Sequence, residues 1–194
     1  MKLDVHVTLS SGEQMLAGHL DFGEILSGGR YGTRFTYAPA WQKHKSFFPL
    51  DPESLDPLKE GKTAFESHGL AAPLLVFLVS LPDDWGRQLL IMQRKLIGVQ
   101  QESPYLLREM GSAALGALSF AEPGKQCAPM ATHDASVAEL ADLIDAAERF
   151  EQGDRSMSPA TQRLLEAGST PGGARPKSLV REDGTWWIAK FPSK

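Results

Sequence analysis

Apolar and polar positions alternate from the second residue onward. Leu3, Val5, Val7 and Leu9 are interleaved with Lys2, Asp4, His6 and Thr8. A period of two is the signature of a half-buried strand. Ser10-Ser-Gly12 marks a turn, after which Leu16, Gly18, Leu20 and Phe22 alternate again. Gly28-Gly29 breaks the chain before a third run, with Tyr31, Thr33, Phe35 and Tyr37 on one face. Short links between successive strands predict an antiparallel meander, because parallel neighbours need long crossovers.

Other signals follow along the chain. Residues 49–63 carry Pro49, Pro52 and Pro57 among charges and predict a surface loop. Ala72 to Leu96 predicts helix, interrupted at Leu81-Pro-Asp-Asp-Trp85. There Pro82 suits a turn, and Asp83-Asp84 suits a helix N-terminus, where negative charge is favourable. Ser103-Pro104 opens a helix over Tyr105–Met110 that Gly111 ends, and Gly116 to Ala121 predicts a short strand. Ser136-Val-Ala-Glu139 fits a capping box for a helix to about Phe150, with Val137, Leu140, Ile144 and Ala147 on one face. Ser158-Pro159 starts another helix, with Gly168 placed as its C-terminal cap. Lys177–Val180 and Trp186–Phe191, joined through Glu182-Asp-Gly184, predict a hairpin. Trp186 and Trp187 then point to opposite faces and cannot both enter one core. The pattern predicts an α+β fold that opens with antiparallel strands and helices, with a weak composition boundary near Gly153–Ser158.

Composition narrows the setting. Hydrophobic residues make up 42% and charged residues 23% of the chain, as in an ordinary globular protein. The net charge is -4, and the 20 Lys and Arg are scattered, which argues against a self-sufficient nucleic-acid binder. The longest apolar run, Leu74 to Val79, falls short of the roughly 20 residues of a membrane span, and no signal-peptide pattern precedes it. One cysteine, Cys127, cannot form an internal disulfide, so a cytoplasmic location is expected. Cys127 has no histidine near it in sequence, which weakens a catalytic thiol. His6, His19, His44, His68 and His133 lack the paired spacing of a metal site. Trp41, Phe47, Phe48 and Trp85 read as core, with a partner-facing patch as the alternative.

The candidate chemistry lies in Gly168-Ser-Thr-Pro-Gly-Gly-Ala-Arg-Pro-Lys177 and the strand that carries Lys190. Glycines let backbone N–H groups approach a phosphate closely, and Gly172-Gly173 supplies that freedom between hydroxyls and the cations Arg175 and Lys177. A strand lysine such as Lys190 can reach phosphate oxygens. The stretch is neither a Walker A loop nor a dinucleotide fingerprint. Pattern alone leaves open a phosphate cradle and a plain helix-to-strand connector.

Four segments, in order, resemble the N-terminal half of the HipA-like serine/threonine kinases, toxins of bacterial type II toxin–antitoxin modules. They are Phe35-Thr-Tyr-Ala-Pro-Ala-Trp41, Leu81-Pro-Asp-Asp-Trp-Gly-Arg87, Leu106 to Phe120, and Gly172-Gly-Ala-Arg-Pro-Lys177 with Trp187-Ile-Ala-Lys-Phe-Pro192. The resemblance spans nearly the whole chain. It implies a small N-terminal subdomain over 1–153 and the start of a kinase N-lobe over 154–194. It further implies that Gly172, Gly173, Ala174, Arg175, Pro176 and Lys177 line ATP, and that Lys190 contacts its phosphates. The family's autophosphorylated loop serine falls at Thr170, with Ser169 beside it, and threonine there departs from the pattern.

The complete kinase would use ATP and Mg²⁺, phosphorylate a protein Ser/Thr, and be controlled by a HipB-like helix-turn-helix antitoxin, through which alone it would meet DNA. Its acceptor-orienting aspartate and Mg²⁺ ligands lie well downstream of the strand lysine, and four residues follow Lys190 here. The expectation is therefore that these 194 residues alone hold no catalytic or metal-binding residue and are inactive as a kinase. The alternative is a stand-alone regulatory module that docks on a separate HipA-like kinase or a repressor.

Overall fold

A computed structural model describes residues 1–24, 31–67, 74–112, 116–127, 135–156, 158–168 and 176–192. It is α+β with antiparallel sheets, and it divides by packing into two compact units. One comprises 1–81 and 97–129; the other comprises 82–96 and 130–194. The division expected at 153/154 follows composition. Packing instead groups 82–96 and 130–153 with the C-terminal hairpin.

The first unit is built on the predicted meander. β1 (Lys2–Thr8), β2 (Gln14–Phe22) and β3 (Thr33–Tyr37) pair antiparallel in sequence order. β4 (Ala64–Ser67) adds to β3, and β5 (Leu118–Ala121) adds to the free side of β1, giving the order β4-β3-β2-β1-β5. Leu3, Val5, Leu20, Phe35, Tyr37, Phe65 and Phe120 line one face and are buried. Over them pack Trp41 of α1 (Pro39–Gln42), Leu55, Phe77 of α3 (Leu75–Leu78) and Leu107 of α5 (Ser103–Met110). Each such large side chain contributes roughly 1.5–3 kcal/mol of transfer free energy.

At the centre of this face the backbone comes too close for a side chain. Between Val5 and His6 the β1–β2 register slips by one residue. Gly18, opposite Val5, faces Tyr37 on the other side. A Cβ there would lie 2.3 Å from the Thr36 carbonyl oxygen and 2.6 Å from the Phe35 ring.

Residues 49–63 are less detached than a surface loop. α2 (Pro57–Glu60) starts within them, capped by Asp56, whose Oδ1 accepts from Leu58 N–H at 2.9 Å. Leu55 is fully buried. The Tyr37 hydroxyl donates to the Leu55 carbonyl at 2.8 Å and accepts from Leu50 N–H at 2.8 Å, fastening the segment to the sheet.

The second unit packs α4 (Asp84–Arg94), α6 (Leu140–Glu151) and α7 (Pro159–Gly168) with the hairpin β6 (Lys177–Glu182) and β7 (Thr185–Lys190). Its core holds Trp85, Leu89, Leu143, Phe150, Leu164, Val180 and Phe191. The predicted capping box is present: Ser136 N–H donates to Glu139 Oε2 at 2.8 Å. It opens a 3-10 turn (Val137–Glu139), and α6 begins only at Leu140. The tighter turn offsets Val137 from the face it would hold on a continuous helix, and within α6 the buried stripe is Leu143, Ala146, Ala147 and Phe150. Val137, Leu140 and Ile144, expected on the core face, pack at its margin.

Trp41 and Trp85 do not form one aromatic group. Trp41 meets the edges of Phe47 and Phe48 in the first unit, whereas Trp85 meets Phe150 at 5.1 Å in the second.

Candidate functional site

Asp183 and Gly184 form the two-residue turn of the hairpin, both with positive φ (48° and 78°). That geometry matches the twist of the flanking strands and suits Asp-Gly. The resulting register sets Lys177 directly opposite Lys190. Directly opposed residues share a face of the sheet, so the two lysines lie side by side where residue 176 enters β6.

Their surroundings differ. The Lys177 side chain is only 5% exposed, and its ammonium lies 3.0 Å from Asp83 Oδ2. The other Asp83 oxygen accepts from Gly86 N–H at 2.8 Å and caps α4. One carboxylate thus ends a helix and neutralises a buried cation. Lys190 is exposed, and no described residue forms an ion pair with it. Of the two lysines assigned to ATP, Lys177 is engaged within its own unit and Lys190 is presented to solvent. Pro176 is buried, and its carbonyl accepts from Phe191 N–H at 2.9 Å, closing the mouth of the hairpin. Ser169, Thr170, Gly172, Gly173, Ala174 and Arg175 lie outside the described residues.

The second unit also contains a cleft of about 390 Å³ lined by Asp84, Trp85, Gln88, Glu148, Phe150 and Arg155. The Arg155 guanidinium covers the Phe150 ring at 4.0 Å and donates to the Phe150 carbonyl at 2.6 Å. Glu151 lines it too, so three acids (Asp84, Glu148 and Glu151) outweigh Arg155 and disfavour a phosphate there, and neither Lys177 nor Lys190 lines it.

Sequence spacing hid a polar cluster in the first unit. Asp4 and His6 share the polar face of β1, where His19 stands opposite Asp4 and Ser119 opposite His6. Asp4 Oδ1 lies 2.7 Å from His19 Nδ1, and Oδ2 accepts from Gly124 N–H at 2.8 Å. The loop after β5 thereby places the Cys127 sulfur 3.6 Å from His6 Nδ1. A histidine does adjoin the thiol, 121 residues away in sequence.

The electrostatics oppose a reactive pair. Burial pushes the Cys127 thiol above its ordinary value, the Ser119 hydroxyl opposing and the Asp4 carboxylate reinforcing. Burial lowers His6, with Asp4 opposing and His19 reinforcing. Both groups are held neutral, the reverse of a thiolate–imidazolium couple. Among the described residues no three His, Cys, Asp or Glu are grouped to hold a metal ion, and no helix is long and apolar enough to cross a membrane.

No protein-family model matches the chain, and no match was found among curated proteins.

Proposed function

We propose that the chain is the N-terminal part of a HipA-like serine/threonine kinase. Residues 172–175 and Lys190 hold ATP in it, while Lys177 stays with Asp83. The complete enzyme works with Mg²⁺ in the cytoplasm, phosphorylates a protein Ser/Thr, and answers to a HipB-like helix-turn-helix antitoxin that supplies any contact with DNA. The observation that carries the reading is the placement of Lys190 across from Lys177 at the point where the glycine-rich stretch enters β6. Two ammonium groups side by side repel unless counter-charge is supplied. Asp83 supplies it for Lys177. An anion held by the preceding backbone would supply it for Lys190, whose exposed ammonium is open to one.

Titration of Mg²⁺–ATP into the chain, followed by calorimetry, tests this directly. The chain should bind ATP, and Lys190→Ala should weaken binding about tenfold or more, the worth of a charge-assisted hydrogen bond. Thermal unfolding should be unchanged, since Lys190 is exposed. Absence of binding at millimolar ATP would sink the reading. It would favour the second one, a docking module for a separate kinase or repressor, which the solvent-facing apolar residues of β7 support.

A further inference from the structure

Two lysines share one face at the mouth of the hairpin, and the Asp83 carboxylate stands beside one of them. Lys177 and Lys190 are directly opposed across β6 and β7, which sets their Cβ atoms about 5 Å apart. Asp83 Oδ2 lies 3.0 Å from the Lys177 ammonium. The main chain around all three is tied down. The Pro176 carbonyl accepts from Phe191 N–H at 2.9 Å, which joins the neighbours of the two lysines. Asp83 Oδ1 accepts from Gly86 N–H at 2.8 Å. Trp85, two residues after Asp83, and Phe191, next to Lys190, are buried in the same core.

Burial decides which lysine holds the carboxylate. The Lys177 side chain is 5% exposed, whereas Lys190 is open to solvent. A buried ammonium without a counter-ion is far more costly than a solvated one, so Asp83 goes to Lys177. Lys190 is left to water or to an anion.

We propose that Lys177 is a positioning residue for nucleotide binding: it occupies Asp83 and so keeps that carboxylate from capturing Lys190. This deepens the reading of Lys190 as a phosphate contact, and rests on it. Both side chains carry the same four-carbon stem, and they start from adjacent points on one face. Without Lys177, the part-buried carboxylate would draw in the cation across the hairpin. Lys190 would have to leave that ion pair before meeting a phosphate, and the uncompensated carboxylate would repel the phosphate as well. Removing Lys177 therefore weakens ATP binding, and neutralising Asp83 in the same chain restores it. If Lys177 instead touched phosphate directly, no change at Asp83 would repair its loss.

The test compares the parent chain with Lys177→Met and with Asp83→Asn/Lys177→Met. Asparagine at position 83 still offers an oxygen to Gly86 N–H, so the cap of α4 is kept. The first readout needs no nucleotide: brief acetylation by acetic anhydride, followed at Lys190 by mass spectrometry, reports how free that amine is. Lys177→Met should slow it about threefold, the worth of a part-exposed ion pair. The double variant should return to the parent rate. In calorimetric titration with Mg²⁺–ATP, affinity should fall about threefold or more in Lys177→Met, for the same reason, and recover in the double variant. Circular dichroism checks folding. Should Lys177→Met unfold, Lys177→Gln removes the charge, keeps a donor for Asp83, and should give the same order. An unchanged acetylation rate at Lys190 overturns the proposal. So does a loss of ATP affinity that Asp83→Asn fails to repair, which would make Lys177 a phosphate ligand. A parent chain that binds no ATP overturns the nucleotide reading instead, and the acetylation pattern then decides by itself whether Lys177 shields Lys190.

Discussion

The Lys177 ammonium lies 3.0 Å from one oxygen of Asp83, while the other oxygen of that carboxylate holds the first-turn amide of α4. A single side chain therefore couples the start of β6 to the start of a helix. Asp83→Ala should destabilise by about 3–5 kcal/mol, because it strands a buried ammonium as well as removing a cap. Adding Lys177→Met should restore much of that loss, since the stranded charge is gone. Urea unfolding of the two variants and the parent measures both effects.

Tyr37 provides a pH-dependent signal. Burial pushes its hydroxyl up to about 12 from an ordinary 10.0, with the Leu50 amide opposing and Asp56 and Asp51 reinforcing. Between those values the unfolded chain loses this proton and the folded chain keeps it, so stability falls as pH rises. The loss should approach about 2–3 kcal/mol by pH 12. Tyr37→Phe should abolish that alkaline component. At neutral pH it should cost about 1–3 kcal/mol through the groups of Leu50 and Leu55 left without the hydroxyl. Chemical denaturation across the alkaline range separates the two.

Cys127 should be slow to react with iodoacetamide near neutral pH and become fast on unfolding, because burial keeps it a thiol. His6 gives the acid-side counterpart. Its folded value lies below 6.5, so the unfolded chain binds this proton first, and stability contributed through His6 falls as pH drops through 6.5. Alkylation rates followed by mass spectrometry, and acid titration of His6→Gln, check these outcomes.

Gly18→Ala should be among the most damaging small substitutions in the chain. The methyl group would meet a backbone carbonyl at 2.3 Å, and a carbonyl cannot rotate away as a side-chain tip can. A loss of about 3 kcal/mol or more is expected from this overpacking. Alanine at Gly12, where a Cβ meets nothing within 4 Å, should lose only what its φ of 84° imposes. Thermal unfolding ranks the pair.

How much of this was legible in the sequence depends on the range of the interaction. β1 to β3 and the hairpin announce themselves because alternation and Asp-Gly are local signals. β4 has only Phe65 as an apolar inward residue, and its pairing with β3 defines it as a strand. Asp83 was readable as a helix cap; its second role needs a lysine 94 positions later. The Cys127–His6 contact is likewise set by the β1–β5 register, which no spacing rule contains. For the candidate nucleotide site, the Asp-Gly turn made the hairpin that opposes Lys177 to Lys190 legible, while the Asp83 partner of Lys177 was not.

The order of the first sheet carries a consequence for how the chain is made. β1 occupies an interior position, and its second neighbour is β5, which ends at Ala121. On the ribosome, one flank of the earliest strand therefore waits until Leu118–Ala121 has emerged. Until then its unsatisfied amides are exposed to chaperones and to misassociation, so the rate of synthesis through that stretch governs the yield of folded protein.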